Sequence, residues 1–95
     1  MRHVRYSDYR SWEFLAHVMI WECDAVSFSN SLRGICPVKD CPANRKRSLV
    51  CSGKAPVCYC HGCKHSFDAL ALLAEIHGYG LNSAADEIDQ KYKYG

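Results

Sequence analysis

The chain has 95 residues, a formal net charge of +2 and seven cysteines, a size that favours one domain with a small core supplemented by a metal or cross-link. No stretch approaches the roughly 18 apolar residues of a membrane span, and residues 1–30 hold Arg2, Arg5, Asp8, Arg10, Glu13, Glu22 and Asp24 in place of an apolar signal core. An odd number of cysteines without a signal points to the reducing cytoplasm, where closely spaced thiols bind metal more often than they form disulfides.

In chain order, "SDYRSWEFLAHVMIWEC" (residues 7–23) predicts a helix with Ser7 or Ser11 as its N-cap. Trp12, Leu15, Ala16, Met19 and Cys23 form one stripe at helical spacing, and Phe14, Val18 and Trp21 form a second. A helix apolar around most of its girth calls for burial on two sides. A strand through "HVMIW" is the alternative reading, because short β-branched runs are ambiguous. Residues 1–29 thus make an N-terminal helical segment. Residues 30–65 read as short strands and turns, with "RSLVCS" and "APVCYC" forming a hairpin through Gly53-Lys54. Residues 66–77 predict a second helix, with Ser66 capping its first turn, Asp68 at the positive end of its dipole and Gly78 as the left-handed C′ residue. A third helix is expected from Ser83, where "SAAD" resembles a capping box and Ala84, Ile88 and Tyr92 share a face. The fold class expected is α+β, a small ribbon of antiparallel strands between N- and C-terminal helices, in one domain spanning 1–95.

Six of the seven cysteines lie between Cys36 and Cys63. Cys60-His61-Gly62-Cys63 is a pair of thiols on a tight turn that can grip one Zn²⁺, with Gly62 expected to take the left-handed backbone that brings the second sulfur inward. Cys36 and Cys41 supply a second pair. The resulting C-x4-C-x18-C-x2-C pattern is close to the two knuckles of a zinc ribbon. Four thiolates around Zn²⁺ make a closed, structural site without a position for water. Cys58, His61 or His65 are alternatives to Cys41 as the fourth ligand. Cys51, Cys58 and Cys23 otherwise read as small buried hydrophobes.

The charge is uneven. Residues 33–65 carry seven basic residues and one acid, Asp40, whereas residues 66–95 carry two basic and five acidic ones. A basic patch concentrated on the cysteine segment suits a polyanionic partner. Asp86-Glu87-Ile88-Asp89 reads as a solvated helix face rather than a catalytic centre. With no Gly-rich phosphate loop and no Ser/His/Asp arrangement, the chain is expected to be non-catalytic by itself.

Three segments, "NSLRGICP" (30–37), "CYCHGC" (58–63) and "FDALALLAEIHGYGLNSAADEI" (67–88), resemble in that order the N-terminal zinc-binding domain of bacterial and phage DNA primases. That family shows a Gly-Leu-Cys-Pro start, a hairpin, a Tyr-x-Cys-x-Gly-Cys second knuckle and an aspartate-led helix. The resemblance covers roughly residues 28–90. It implies a zinc ribbon flanked by helices, Cys36, Cys60 and Cys63 as ligands, and a part in template recognition during primer synthesis. The family usually places a His three residues after the first Cys, where this chain has Lys39, so Cys41 must take over that role. In the primases a catalytic domain with acidic metal-binding residues follows. The expected function is therefore that of an accessory module that binds single-stranded DNA beside a separate primase, polymerase or helicase subunit. Arg33, Lys39, Arg45, Lys46, Arg47, Lys54 and Lys64 would meet phosphates, and Tyr59 and His61 would stack on bases. The alternative is a zinc-stapled protein-interaction module, with Trp12, Phe14, Met19 and Trp21 suited to an interface core.

Overall fold

A computed structural model of the chain describes residues 5–42 and 46–93. A 3₁₀ turn at Tyr6–Tyr9 leads into helix α1, Trp12–Glu22. Strands β1 (Val26–Phe28), β2 (Ser31–Gly34), β3 (Leu49–Ser52), β4 (Cys58–Cys60) and β5 (Ser66–Phe67) follow, and then helices α2 (Ala69–His77) and α3 (Leu81–Ile88). The five strands form one antiparallel sheet in chain order, each paired with the next. The architecture is α+β, with helices against a sheet.

Alternation along the strands decides which face meets the helices. Leu32, Leu49, Cys51, Cys58, Cys60 and Phe67 are buried, while their neighbours Arg33, Ser52, Tyr59 and Ser66 are exposed. The buried row packs on Leu15, Val18 and Met19 of α1 and on Leu70, Leu72 and Leu73 of α2 in one continuous core. Each fully buried leucine contributes about 1.5–3 kcal/mol relative to its exposed state. Ala84, Ala85 and Ile88 of α3 complete the core, as the shared face of Ala84 and Ile88 predicts. Tyr92, the third member of that face, has its side chain outside the described residues. Among the described residues no helix packs on the opposite face of the sheet.

The helix ends show what the sequence signals mean. Ser11, not Ser7, caps α1, accepting the Phe14 amide at 3.2 Å, and the residues before it form the separate 3₁₀ turn. "HVMIW" lies inside α1, so the strand reading fails. The two-sided burial expected of α1 is only partly realised: Val18 is buried, but Ile20 and Trp21 are 49% and 75% exposed. Ser66 is not a cap but part of β5. The cap of α2 is Asp68, whose Oδ1 accepts the Ala71 amide at 2.8 Å. Gly78 ends α2 at φ 71°, the expected left-handed residue. Helix α3 starts earlier than expected, at Leu81 after Gly80, with no side-chain cap, so "SAAD" lies within it.

The β3–β4 hairpin forms as expected, with Leu49 opposite Cys60 and Val50 opposite Tyr59. Gly53 in its turn has φ 60°. Strand β1 is additional, and β2 lies within the stretch 30–65 read as short strands and turns, outside the expected hairpin. Segment 1–29, read as helical, contains β1. A two-residue turn, Ser29-Asn30, joins β1 to β2, so Phe28 faces Ser31 and Val26 faces Arg33 across the pair. At Gly34 a Cβ would stand 3.1 Å from both the Cβ and the carbonyl oxygen of Cys23, so the missing side chain lets the end of α1 dock on β2. The Ile35 amide seals that contact on the Cys23 carbonyl at 2.8 Å.

Candidate metal centre

Each cysteine pair sits on a turn that leaves the sheet. Cys36 and Cys41 follow β2, and the Cys41 amide closes their turn on the Val38 carbonyl at 3.2 Å. Cys60 ends β4, where its pairing with Leu49 fixes its direction. The turn to Cys63 is closed by the Lys64 amide on the Cys60 carbonyl and by the Cys60 amide on the His65 carbonyl, both at 2.9 Å. The left-handed residue of this knuckle is Lys64, at φ 64°, and not Gly62. Gly62 contributes its amide instead, donating to the Cys60 sulfur. Val38 and His65 do the same for Cys36 and Cys63, so in each case the amide two residues on points at the sulfur.

The two turns bring Cys36, Cys41, Cys60 and Cys63 together, with all four sulfurs within 4.8 Å of one another. The Cys36–Cys63 sulfurs are 3.7 Å apart and the Cys41–Cys60 sulfurs 3.5 Å, each pair joining one turn to the other. A disulfide would need about 2.05 Å. Four sulfurs at about 2.3 Å from a central Zn²⁺ would stand about 3.8 Å apart at tetrahedral angles. The spacing therefore fits a metal-sized centre and excludes pre-formed bridges. Cys36, Cys41 and Cys60 are buried and Cys63 is half-buried.

Electrostatics distinguishes Cys60 from Cys36 and Cys63. Burial opposes ionisation of Cys60, but the Ser48 hydroxyl 3.3 Å away and the Cys63 and Gly62 amides outweigh it and bring the thiol down to about 6. Burial pushes the Cys36 thiol well above its ordinary range, partly offset by the Val38 amide, and the neighbouring sulfurs push it further. Cys63 is raised by burial and by Cys60. Close sulfurs resist carrying charge together, and a divalent cation removes that resistance.

The alternatives for the fourth ligand fall away. The Cys58 thiol donates to the Phe67 carbonyl at 3.4 Å within the core, and burial lifts it to about 12. His61 is exposed and meets the Tyr59 ring edge-on at 5.1 Å. His65 is exposed and packs on Phe67 at 6.3 Å. Cys51 donates to the Ala55 carbonyl at 3.3 Å, and Cys23 is raised to about 12 by burial and Glu22. These three buried thiols behave as the small hydrophobes that the sequence suggests.

The basic residues divide. Arg33, Lys46, Arg47 and His61 line one open groove of about 570 Å³ on the uncovered sheet face, with Ser31, Ser48, Val50 and Ser52. Arg33 lies over the Phe28 ring at 5.2 Å. Arg47 is engaged, its Nη2 2.9 Å from Asp24 Oδ2. Lys54 leaves the β3–β4 turn to lie over the Trp12 ring at 5.6 Å, and Lys39 and Lys64 sit exposed on the two cysteine turns; none of the three lines the groove. Arg45 lies outside the described residues. Tyr59 is 36% exposed on the same sheet face. Sequence reasoning missed Phe28, 47% exposed on that face. Its signal is the alternation of "VSF" before a turn-forming Ser-Asn. Among the described residues no helix is long and apolar enough to cross a membrane. No family model, curated protein or solved structure matches this chain.

Proposed function

We propose that the protein is a zinc-stapled module that binds single-stranded DNA across the open face of its sheet. On this reading the zinc ion is structural, the chain performs no chemistry of its own, and it works beside a primase, polymerase or helicase subunit supplied by another chain. The observation that carries the DNA-binding part is the gathering of Arg33, Lys46, Arg47 and His61 around one groove on the face the helices leave free. Phe28 on β1 and Tyr59 on β4 stand on the same face, three strand spacings across and two residues along, or about 16 Å apart. Exposed rings flanking a basic groove make a stacking platform for unpaired bases, with cations to track the backbone. The partnership with a polymerising subunit rests on the resemblance to primase zinc-binding domains.

Binding of a fluorescent oligonucleotide across a salt series tests the reading. Affinity that falls steeply with salt, and falls in Arg33→Ala and Tyr59→Ala while zinc content holds, supports it. Salt-independent binding or none overturns it. One observation favours a second role as a protein-interaction module: Ile20 and Trp21 stand exposed side by side on α1. That surface lies on the helical layer, and the two roles are compatible.

A further inference from the structure

Away from the cysteines, one other group of metal-ligating side chains converges among the described residues. Glu22 is the last residue of α1, His77 the last of α2, and Glu87 lies in the final turn of α3. Their ligand atoms all lie within 4.8 Å of one another. His77 Nε2 is 3.5 Å from Glu22 Oε1 and 3.5 Å from Glu87 Oε2.

A protonated imidazole between two carboxylates would also gather these residues, and the geometry argues against it. A charge-assisted N–H···O bond closes to about 2.7–2.9 Å, and one ring nitrogen carries a single proton that points along one line. Here two carboxylates approach the same nitrogen, equally and too far for either to accept its proton. Nitrogen and oxygen donors at about 2.0–2.1 Å from a tetrahedral zinc ion stand about 3.4 Å apart, close to the 3.5 Å from His77 Nε2 to each carboxylate, and the two carboxylates lie within 4.8 Å of each other. The surroundings are built to hold Glu87 in this orientation. The Tyr79 hydroxyl donates to Oε2, and Lys91 Nζ lies 3.1 Å from Oε1. Such outer partners aim a carboxylate at an ion.

We propose that Glu22, His77 and Glu87 form a second cation site, separate from the four cysteines, which takes Zn²⁺ reversibly and ties the ends of α1, α2 and α3 together. One imidazole and two carboxylates are a donor set for a borderline divalent ion, unlike the all-sulfur centre. The side chains are 21–34% exposed, so the ion exchanges with solvent and water completes its coordination. Zinc at this place would brace the helical layer behind the open sheet face.

The test is calorimetric titration of Zn²⁺ into tag-free protein already holding one tightly bound zinc per chain. One further equivalent is expected in the parent. His77→Ala and the near-isosteric pair Glu22→Gln and Glu87→Gln should each abolish it while keeping the first zinc and the circular dichroism of the parent. Tyr79→Phe should keep the site but weaken it by about 10–100-fold, as loss of an outer partner does. If His77→Ala fails to fold, the glutamine variants carry the test. Absence of a second equivalent in the parent, or its persistence in the glutamine variants, overturns the proposal.

Discussion

At the residue scale, the choice of thiols defines the site. Cys41 stands two residues beyond the position where the primase-like pattern has a histidine, and the structure brings its sulfur to 3.5 Å from Cys60. That position was legible from spacing alone, because only Cys41 completes two pairs. What spacing left open was Cys58, which stands two residues from Cys60 in the sequence and which only the folded strand shows to be committed to the core. Cys41→Ser or Cys63→Ser should therefore release zinc and unfold the cysteine turns, while Cys58→Ala keeps one zinc per chain; metal analysis with circular dichroism reads both outcomes. Thiol reactivity gives an independent check. Cys23, Cys51 and Cys58 are buried and raised above the usual thiol range, so brief alkylation of the native protein should leave all three unmodified by peptide mass mapping. The pH dependence of the metal follows from the same chemistry. Zinc binds thiolates, so binding expels protons and affinity falls as pH drops. Cys60, held down at about 6, keeps its charge longest, whereas Cys36 and Cys63, both raised, take protons readily once the cation is contested. Zinc transfer to a chromogenic chelator should accordingly be slight at neutral pH and become complete on acidification.

At the element scale, the signals that were read correctly are those with a local mechanism. Ser11 caps α1, and Gly78 closes α2, because each satisfies backbone groups at a helix end regardless of what packs around it. Ser66 looked equally suited to start α2, but pairing with Tyr59 on β4 draws it into β5, and the cap passes to Asp68. Asp68→Ala should thus cost about 1 kcal/mol of stability, as loss of a cap does, while Ser66→Ala costs little; urea denaturation of the zinc-loaded protein distinguishes them. Strand β1 and the placing of β2 within 30–65 escaped the sequence reading for a physical reason. Each is three or four residues long and contains Ser, Arg or Gly, so a signal such as the alternation of "VSF" is too short to mark a strand before it pairs. Gly34 in β2 leaves room for Cys23, which a side chain there would crowd.

At the scale of the whole molecule, charge and topology support one another. The basic segment was visible in the sequence, but which of its charges act together was not. The meander sends Arg33, Lys46 and Arg47 to one groove, puts Lys54 over Trp12, and leaves Lys39 and Lys64 on the cysteine turns. Loss of Arg33 and Lys46 together should lower the slope of log affinity against log salt by about 1.4, at about 0.7 per phosphate contact on a single strand. Phe28→Ala and Tyr59→Ala should each weaken oligonucleotide binding by about 1–3 kcal/mol with little change in that slope, because stacking releases no counterions. The exposed Arg47–Asp24 pair contributes at most about 1 kcal/mol, so Arg47→Ala should leave the fold intact.

On the proposed reading the sheet holds its shape only when one ion clasps the two cysteine turns, so the coordination of that ion decides the matter. X-ray absorption at the zinc edge, on protein purified without chelator and dialysed to one zinc per chain, tests it most directly. A first shell of four sulfurs at about 2.3 Å, with no nitrogen or oxygen, is expected. Protein that retains no zinc, or a shell in which nitrogen or oxygen replaces any of the four sulfurs, would contradict it.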